Sequence, residues 1–491
     1  METLILKRYL HEEEPEIKRI DLKVPEGLTL VASYRVNISK DKVAEPCTIN
    51  IYYGKGKGYY RVIEPEVHPT ILDKLRKAMS FFFKEVPPSP VAELDPAGYL
   101  EAELRKAGAF NGLREEEVNK VRYYILREVS GYGVITPIIM DPFVEDISCE
   151  GEGRPVRVWH SRFNKYYWLE TNIVLSREEI DSLLMKFASR CGSPLSSSTP
   201  ILDSTLPEGY RVSGTWRNEV SSFGSSFTVR KFRTKPYSLT ELIHVGTLDY
   251  KLASYLWQLM EFKGFIIVAG PSATGKTTML NSLATLLNPN WKVVSIEDVR
   301  ELNIPHPGWK ALHTRVGGVG GMGKVDLFDL VKLSLRERPD YIILGEARGE
   351  EVKVLFQSAA TGHGCLTTFH ASNEKALQAR ITQPPISISP SLLNLIDALV
   401  ILVRDSKDGK RYVYKVLEYD EGWRLVYQRE GSSWTGAPGN KLSMLAEAYG
   451  LDARSLTYQL SKKESFLQEM VRREVFDYEK LSENLRMFYA S

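Results

Sequence analysis

The apolar residues of this chain come in short runs, the longest about six residues, as in Ala398-Leu-Val-Ile-Leu-Val403. A bilayer-spanning helix needs roughly 18 or more, so none of these runs reads as a membrane segment. From about residue 240 onward, strand-like runs alternate with helical stretches. Phe265-Ile-Ile-Val-Ala269, Lys292-Val-Val-Ser-Ile296 and Tyr341-Ile-Ile-Leu344 are the clearest strands. The alternation predicts an α/β domain with a largely parallel sheet over residues 236–430. Beyond it, residues 431–491 read as a helical extension. No internal repeat is visible.

Two further units precede that domain. Residues 1–90 read as a small α+β unit. In it, Ile49 to Tyr53, the glycine-rich Gly54-Lys-Gly-Lys-Gly58 and Tyr59 to Val62 form a strand, a turn and a strand. The tyrosines and lysines of that hairpin leave two readings open, a nucleic-acid surface or ordinary strand aromatics. Residues 91–114 form a linker, announced by Val86-Pro-Pro-Ser-Pro90. A second α+β unit covers 115–235. It opens with a helix from Glu115 to Glu128. The strand-like Arg154 to Trp159 and Lys165-Tyr-Tyr-Trp168 follow, and then the polar loop Ser193 to Pro200. Lys231-Phe-Arg-Thr-Lys-Pro236 reads as a hinge into the α/β domain.

Composition narrows the class. The 491 residues, 43% hydrophobic and 26% charged, exclude wholesale disorder and fibrous repeats. Lys plus Arg (64) less Asp plus Glu (62) leaves +2. No large single-sign field points to a nucleic acid or a membrane. Cys47, Cys149, Cys191 and Cys365 are far apart, which argues against both a disulfide framework and a zinc ribbon. The first 14 residues turn acidic at once and lack an apolar core, so they do not read as a secretory signal. A cytoplasmic location with a peripheral membrane role is the expectation. Glu12-Glu-Glu-Glu-Pro-Glu16 reads as a solvated tail or a regulatory arm.

The chemistry concentrates after the first strand of the α/β domain. Gly270-Pro271-Ser272-Ala273-Thr274-Gly275-Lys276-Thr277 fits GxxxxGK[ST], between an apolar strand and a helix running from Thr278 to Leu287. Glycines let backbone N–H groups curl around phosphate oxygens, and the helix N-terminus adds its dipole. Lys276 would reach the β- and γ-phosphates of ATP, and the Thr277 hydroxyl would ligate Mg²⁺. Glu346 ends the strand Tyr341 to Leu344, where a doubly wound sheet binds its ligand. It would hold Mg²⁺ through water or position the attacking water. Glycine, not aspartate, precedes it. Glu297-Asp298 ends another strand and suits a general base, or else is a pair of solvated acids. His370 ends a third strand after Thr361-Gly-His-Gly364. It would contact the γ-phosphate, or be a satisfied core histidine.

Taken together these stretches resemble the secretion ATPases of the type II/type IV pilus superfamily. The phosphate loop, Ile296-Glu-Asp298, Leu335 to Arg348 with its atypical Walker B, and Thr361-Gly-His to Phe369-His370-Ala carry the resemblance. Gly131-Tyr-Gly-Val-Ile-Thr-Pro137, Asp141 to Ile147, Leu206 to Ser213 and Phe227 to Phe232 resemble the family's second N-terminal domain. Asn303-Ile-Pro-His306 and Asp477-Tyr-Glu-Lys480 look archaeal, and the lack of a tetracysteine motif implies no zinc.

The resemblance implies a RecA-like P-loop NTPase domain. A PAS-like α+β domain and a small N-terminal α+β domain precede it, and a helical C-terminal tail follows. It further implies a homo-hexameric ring on the cytoplasmic face of a polytopic membrane platform protein. Glu297 then looks like the water-activating base and Glu346 like the Walker B acid. Gly270 to Thr278 cradle the nucleotide. Arg211 and Arg230 of the second domain approach the phosphates. Ala273-Thr274 departs from the serine or glycine usual before Gly-Lys. The function implied is a motor for a type IV pilus-like filament or for type II/IV secretion, with an archaellum motor as the alternative. A conjugation-type or nucleic-acid translocase, a nucleotide-gated scaffold and a small-acceptor kinase are the remaining readings.

Overall fold

The computed structural model describes residue 20 and residues 27–490, apart from 40–43, 69–70, 72–73, 78–79, 81–95, 107, 109, 232–235, 316–322 and 406–408. The proline-rich run at 86–90 that announces the expected linker, the linker's first residues 91–95, most of the expected hinge at 231–236 and the acidic run at 12–16 lie outside the described residues. The chain divides into two compact units, Met1–Phe232 and Arg233–Ser491.

In the first unit the strands are β1 (Thr29–Val36), β2 (Cys47–Gly54), β3 (Lys57–Ile63), β4 (Val144–Cys149), β5 (Pro155–His160), β6 (Trp168–Val174), β7 (Ile201–Thr205), β8 (Arg211–Thr215) and β9 (Ser226–Arg230). They form one sheet in the order β1-β2-β3-β6-β5-β4-β9-β8-β7. Every pairing is antiparallel except β3 with β6. The sheet therefore runs through both stretches that the sequence pattern separated, and a helix, Pro96–Lys106, stands within the expected linker.

Period-two burial along β2 puts Cys47, Ile49 and Ile51 in the core. Beyond the short β3–β6 ladder the Asn172 side chain continues the pairing. Its amide accepts from Val62 N–H at 2.8 Å and donates to Val62 O at 2.9 Å. Buried Asp141 accepts the hydroxyls of Tyr34 (2.6 Å) and Tyr60 (2.7 Å), and buried Arg127 grips Glu64 at 2.6 Å. These bonds tie β1, β3 and Glu64 to the later part of the unit. The stretch 165–168 departs from the strand expected there. A 3₁₀ turn, Asn164–Tyr166, occupies it, Tyr167 has φ 58°, and the strand starts only at Trp168.

The second unit holds β10 (Phe265–Ala269), β11 (Val293–Glu297), β12 (Trp309–His313), β13 (Tyr341–Leu344), β14 (Gly364–Phe369), β15 (Ala398–Arg404), β16 (Arg411–Tyr419), β17 (Trp423–Glu430) and β18 (Ser433–Gly436). Their order is β12-β11-β13-β14-β10-β15-β16-β17-β18, parallel through β15 and antiparallel beyond. Strand β14 thus separates the strand before the phosphate loop from the strand before Glu346, the RecA-like arrangement.

Strands β10, β11, β13 and β14 are buried along their whole length, as a parallel sheet covered on both faces requires. Helices Tyr250–Glu261 and Lys276–Ala284 pack on one face. Leu327–Leu335, Glu351–Ala360 and Glu374–Thr382 pack on the other. The C-terminal segment is helical over Asn440–Ala448, Ala453–Arg472 and Tyr478–Ala490, whereas 433–436 belong to β18. This tail is part of the core. Buried Trp257 donates its indole N–H to Tyr489 at 2.7 Å, and buried Lys463 reaches Gln258 (2.6 Å) and Glu261 (2.7 Å). Among the described residues, no helix is long and apolar enough to cross a membrane.

Candidate active site

The parallel strands β10, β11, β13 and β14 deliver their C-terminal ends to one sheet edge, where ligands of such sheets bind. The loop after β10 is shaped by sterics. A Cβ on Gly270 would stand 2.6 Å from Leu402 O and 2.7 Å from Thr274 Oγ1. Gly275 caps helix Lys276–Ala284 with φ 89°. Ala273 takes φ 61°, a left-handed conformation that glycine adopts more cheaply by roughly 1–2 kcal/mol. The departure noted in the sequence is thus absorbed as local strain. Thr274 is buried and donates its hydroxyl to Pro271 O at 2.8 Å. Ser272 is exposed, and Thr277 and Thr278 are half-buried in the first turn of the helix.

Lys276 is 7% exposed and folds back over the loop. Its Nζ donates to Pro271 O at 2.9 Å and lies 3.3 Å from His370 Nδ1. Burial pushes its pKa down, against the pull of Glu346 and Glu301. A lysine only donates, so Nδ1 of His370 accepts and Nε2 carries the proton. Nε2 then donates to Glu346 Oε1 at 3.2 Å. Desolvation and the Lys276 charge lower the His370 pKa, and Glu346 opposes them. The other oxygen of Glu346 is 3.1 Å from Arg348 Nη2, which is also 3.1 Å from Asp298. A continuous polar chain therefore runs Lys276–His370–Glu346–Arg348–Asp298, joining the ends of four strands. Arg348→Gln removes a cation that disfavours the imidazolium. The His370 pKa is expected to rise, read by NMR titration of its ring protons.

Glu297, the last residue of β11, is 3% exposed. Its Oε1 accepts the backbone N–H groups of Glu301 and Leu302, each at 2.9 Å. Its Oε2 is buried without a hydrogen-bond partner among the described residues. Burial pushes its pKa up to about 7, although those two amides favour the anion. It is therefore not a solvated acid. A carboxyl held by two fixed donors, with one oxygen unpartnered and a pKa near neutrality, can take up a proton and release it again.

Gly345 explains the missing aspartate. A Cβ there would lie 3.0 Å from Glu297 Cγ and 3.6 Å from Oε1. Gly345 itself is fixed from both sides. It donates to Ile296 O at 2.9 Å and accepts the Thr368 hydroxyl at 2.7 Å.

Arg211 and Arg230 lie in the first unit, opposite each other across β8 and β9. Arg211 pairs with Asp203 (3.1 Å) and Arg230 with Asp146 (2.9 Å). Exposed pairs of this kind are worth at most about 1 kcal/mol.

The sequence reading assigned no role to Arg348 or to Glu351. Buried Glu351 accepts the N–H groups of Arg348 and Gly349, both at 2.7 Å, and so fixes the turn that aims Arg348. Arg348 sat inside a recognised motif, but its two acid partners come from different strands. Arg411 of β16 also reaches the loop. Its Cδ lies 3.5 Å from where a Cβ on Gly275 would stand.

Comparison with known proteins follows this geometry. The uncharacterized protein MJ0900 of Methanocaldococcus jannaschii is 32% identical, over 99% of this chain and 95% of its own length. The type IV secretion system protein PtlH of Bordetella pertussis is 27% identical, over 57% of this chain and 91% of its own. Among solved structures, the ATPase DotB of Legionella pneumophila is 20% identical, with a TM-score of 0.43 over 68% of this chain and 88% of that one. The family described as Type II/IV secretion system protein matches residues 135–446, which include the phosphate loop, Glu297, Glu346 and His370. By that match, over more than half of its length, the chain belongs to the type II/IV secretion system protein family.

Proposed function

We propose that this protein is a Mg-ATP hydrolysing motor that works as a six-membered ring on the cytoplasmic face of the membrane. Its work is assembly of a type IV pilus-like filament, passed on through a polytopic membrane platform protein. The observation that carries the reading is Glu297. It is a buried acid with one oxygen unpartnered and a pKa near 7, and it is packed against Gly345-Glu346 at the same sheet edge as a phosphate loop.

In this reading the loop amides from Gly270 to Thr278 and the Lys276 ammonium hold the phosphates. The carboxylate of Glu297 takes a proton from water. The water oxygen bonds to the γ-phosphorus as the bond to the β–γ bridging oxygen breaks, leaving ADP and phosphate. His370, with a proton on Nε2 and Glu346 behind it, orients groups near the γ-phosphate and registers its loss.

Thr277 and Glu346 are hard oxygen donors. With phosphate and water oxygens they suit the near-octahedral shell of Mg²⁺. When bound, the ion would neutralise phosphate charge. Arg211 and Arg230 would exchange Asp203 and Asp146 for phosphate oxygens. No stable nucleic-acid partner and no zinc belong to this reading.

The test is steady-state phosphate release against protein concentration, with and without single-stranded DNA. Specific activity that climbs with concentration and ignores DNA is the expected result. Flat specific activity would remove the ring from the account, and strong DNA stimulation would favour a translocase.

A further inference from the structure

The irregular segment 301–305, shortly after β11, is hydrogen-bonded to three separate elements. At its start the N–H groups of Glu301 and Leu302 are donated to Glu297 Oε1, each at 2.9 Å. In its middle Asn303 N–H is donated to Asn281 Oδ1 at 3.3 Å. At its end Pro305 O accepts the Ser482 hydroxyl at 2.7 Å. Between these bonds Leu302 and Ile304 are buried in the core.

Each anchor stands on a rigid element. Asn281 is buried on helix Lys276–Ala284, four residues after Thr277 and so on the same helix face. Ser482 stands on helix Tyr478–Ala490 beside buried Leu481 and Leu485. Tyr489 of that helix also donates to Leu286 O at 3.0 Å. The next residue, His306, accepts Gly308 N–H on Nδ1 at 3.1 Å, so its Nε2 carries the proton and donates to Asn288 O at 2.8 Å. The backbone from Glu301 to His306 therefore has little slack.

We infer that residues 301–305 form a strap that holds the Glu297 carboxyl in place, and that Asn281 and Ser482 are positioning residues that act on Glu297 through it. A reacting carboxyl must stand within about 0.5 Å of its productive place, which its supporting shell decides. Here that shell is two backbone amides, and the amides stay put only because the next three residues are tied down. The C-terminal helix, distant from Glu297 in sequence, thereby supports the base. The inference rests on the reading of Glu297 as proton acceptor.

The test is single-turnover hydrolysis of Mg-ATP by the full chain from pH 5 to pH 9, with the KM for Mg-ATP and the melting temperature measured beside it. The variants are Ser482→Ala, Asn281→Ala and Ser482→Thr. A cleft of about 390 Å³ opens beside Pro305 and Ser482, so water can take over the Pro305 carbonyl when the hydroxyl is removed. Both alanine variants are expected to turn over about 10–100-fold more slowly with KM unchanged. Of the charged groups around Glu297, Glu301 disfavours its anion and Arg300 favours it, and both remain in every variant. The change is therefore carried by the two amides. They favour the anion, so loosening them moves the acid limb of the profile above about 7. Ser482→Thr keeps the hydroxyl and should restore both rate and limb. A merely structural role would lower the melting temperature and leave the limb where it is, and that result would overturn the inference while the base stands. A raised KM at unchanged rate would overturn it too. A wild type without a limb near 7 would remove the base, and the strap's role with it.

Discussion

Glu297→Gln is expected to lower ATP turnover by about 10²–10⁴-fold, the range for removing a positioned general base, while ATP binding persists. The substitution leaves the geometry in place. Glutamine keeps an acceptor for the Glu301 and Leu302 amides and needs no more room beside Gly345. What it removes is the ability to take a proton. Stability should move the other way. A carboxyl whose folded pKa is raised from an ordinary 4.5 to about 7 loses stability as pH climbs through that window. At pH 8 the wild type carries the full cost of burying the charge and the glutamine variant does not. A lower kcat with a higher melting temperature at pH 8, measured by phosphate release and calorimetry, is the expected pair. A lower melting temperature with lost turnover would instead mark Glu297 as structural.

Gly345→Asp, which would create the Asp-Glu order of many other P-loop motors, is expected to slow this one. The new Cβ would stand 3.0 Å from Glu297 Cγ, and its carboxylate would join a buried acid that already struggles to ionise. A like charge raises the neighbour's pKa further. The acid limb of the pH–rate profile should move above 7, and each unit of movement costs about tenfold in rate below the limb. At pH 7, one unit of movement would cost about fivefold and two units about fiftyfold. Gly345→Ala separates the two causes. It crowds Glu297 without adding charge, so it should slow turnover less and leave the limb in place. An aspartate variant with wild-type rate and profile would mean that Glu297 does not act as the base.

The parts of the site that the sequence displayed are those where one local stretch fixes both geometry and chemistry. The phosphate loop is bounded by an apolar strand and a helix start, so its position could be read directly, and β10 and the helix after it stand there. Glu346 was placed at a strand end because β13 is a short, continuous apolar run, and His370 because a loop and a short strand precede it.

What escaped depends on neighbours distant in sequence. The unpartnered oxygen of Glu297 follows from burial under the turn at 301–302. Arg348 is long and flexible, and only the assembled sheet brings Asp298 and Glu346 to its guanidinium. The continuous sheet of the first unit rests on the β3–β6 pairing between residues more than a hundred apart, which no local pattern announces. The antiparallel β16–β18 were also missed, because alternating residues such as those of Arg411–Tyr419 do not resemble the buried parallel strands before them. At 165–168 propensity was overridden. Aromatic residues favour strands, but the left-handed backbone at Tyr167 delays the strand to Trp168.

The central claim is that Glu297 is the proton acceptor of an ATP-hydrolysing site. Single-turnover ATP hydrolysis by the wild type and by Glu297→Gln, followed from pH 5 to pH 9 at saturating Mg-ATP, tests it most directly. The account predicts a wild-type rate that rises about tenfold per pH unit at low pH and levels off above about 7. The variant should be slow and flat across the range. A wild-type rate without a limb near 7, or a limb that survives in the variant, would contradict it.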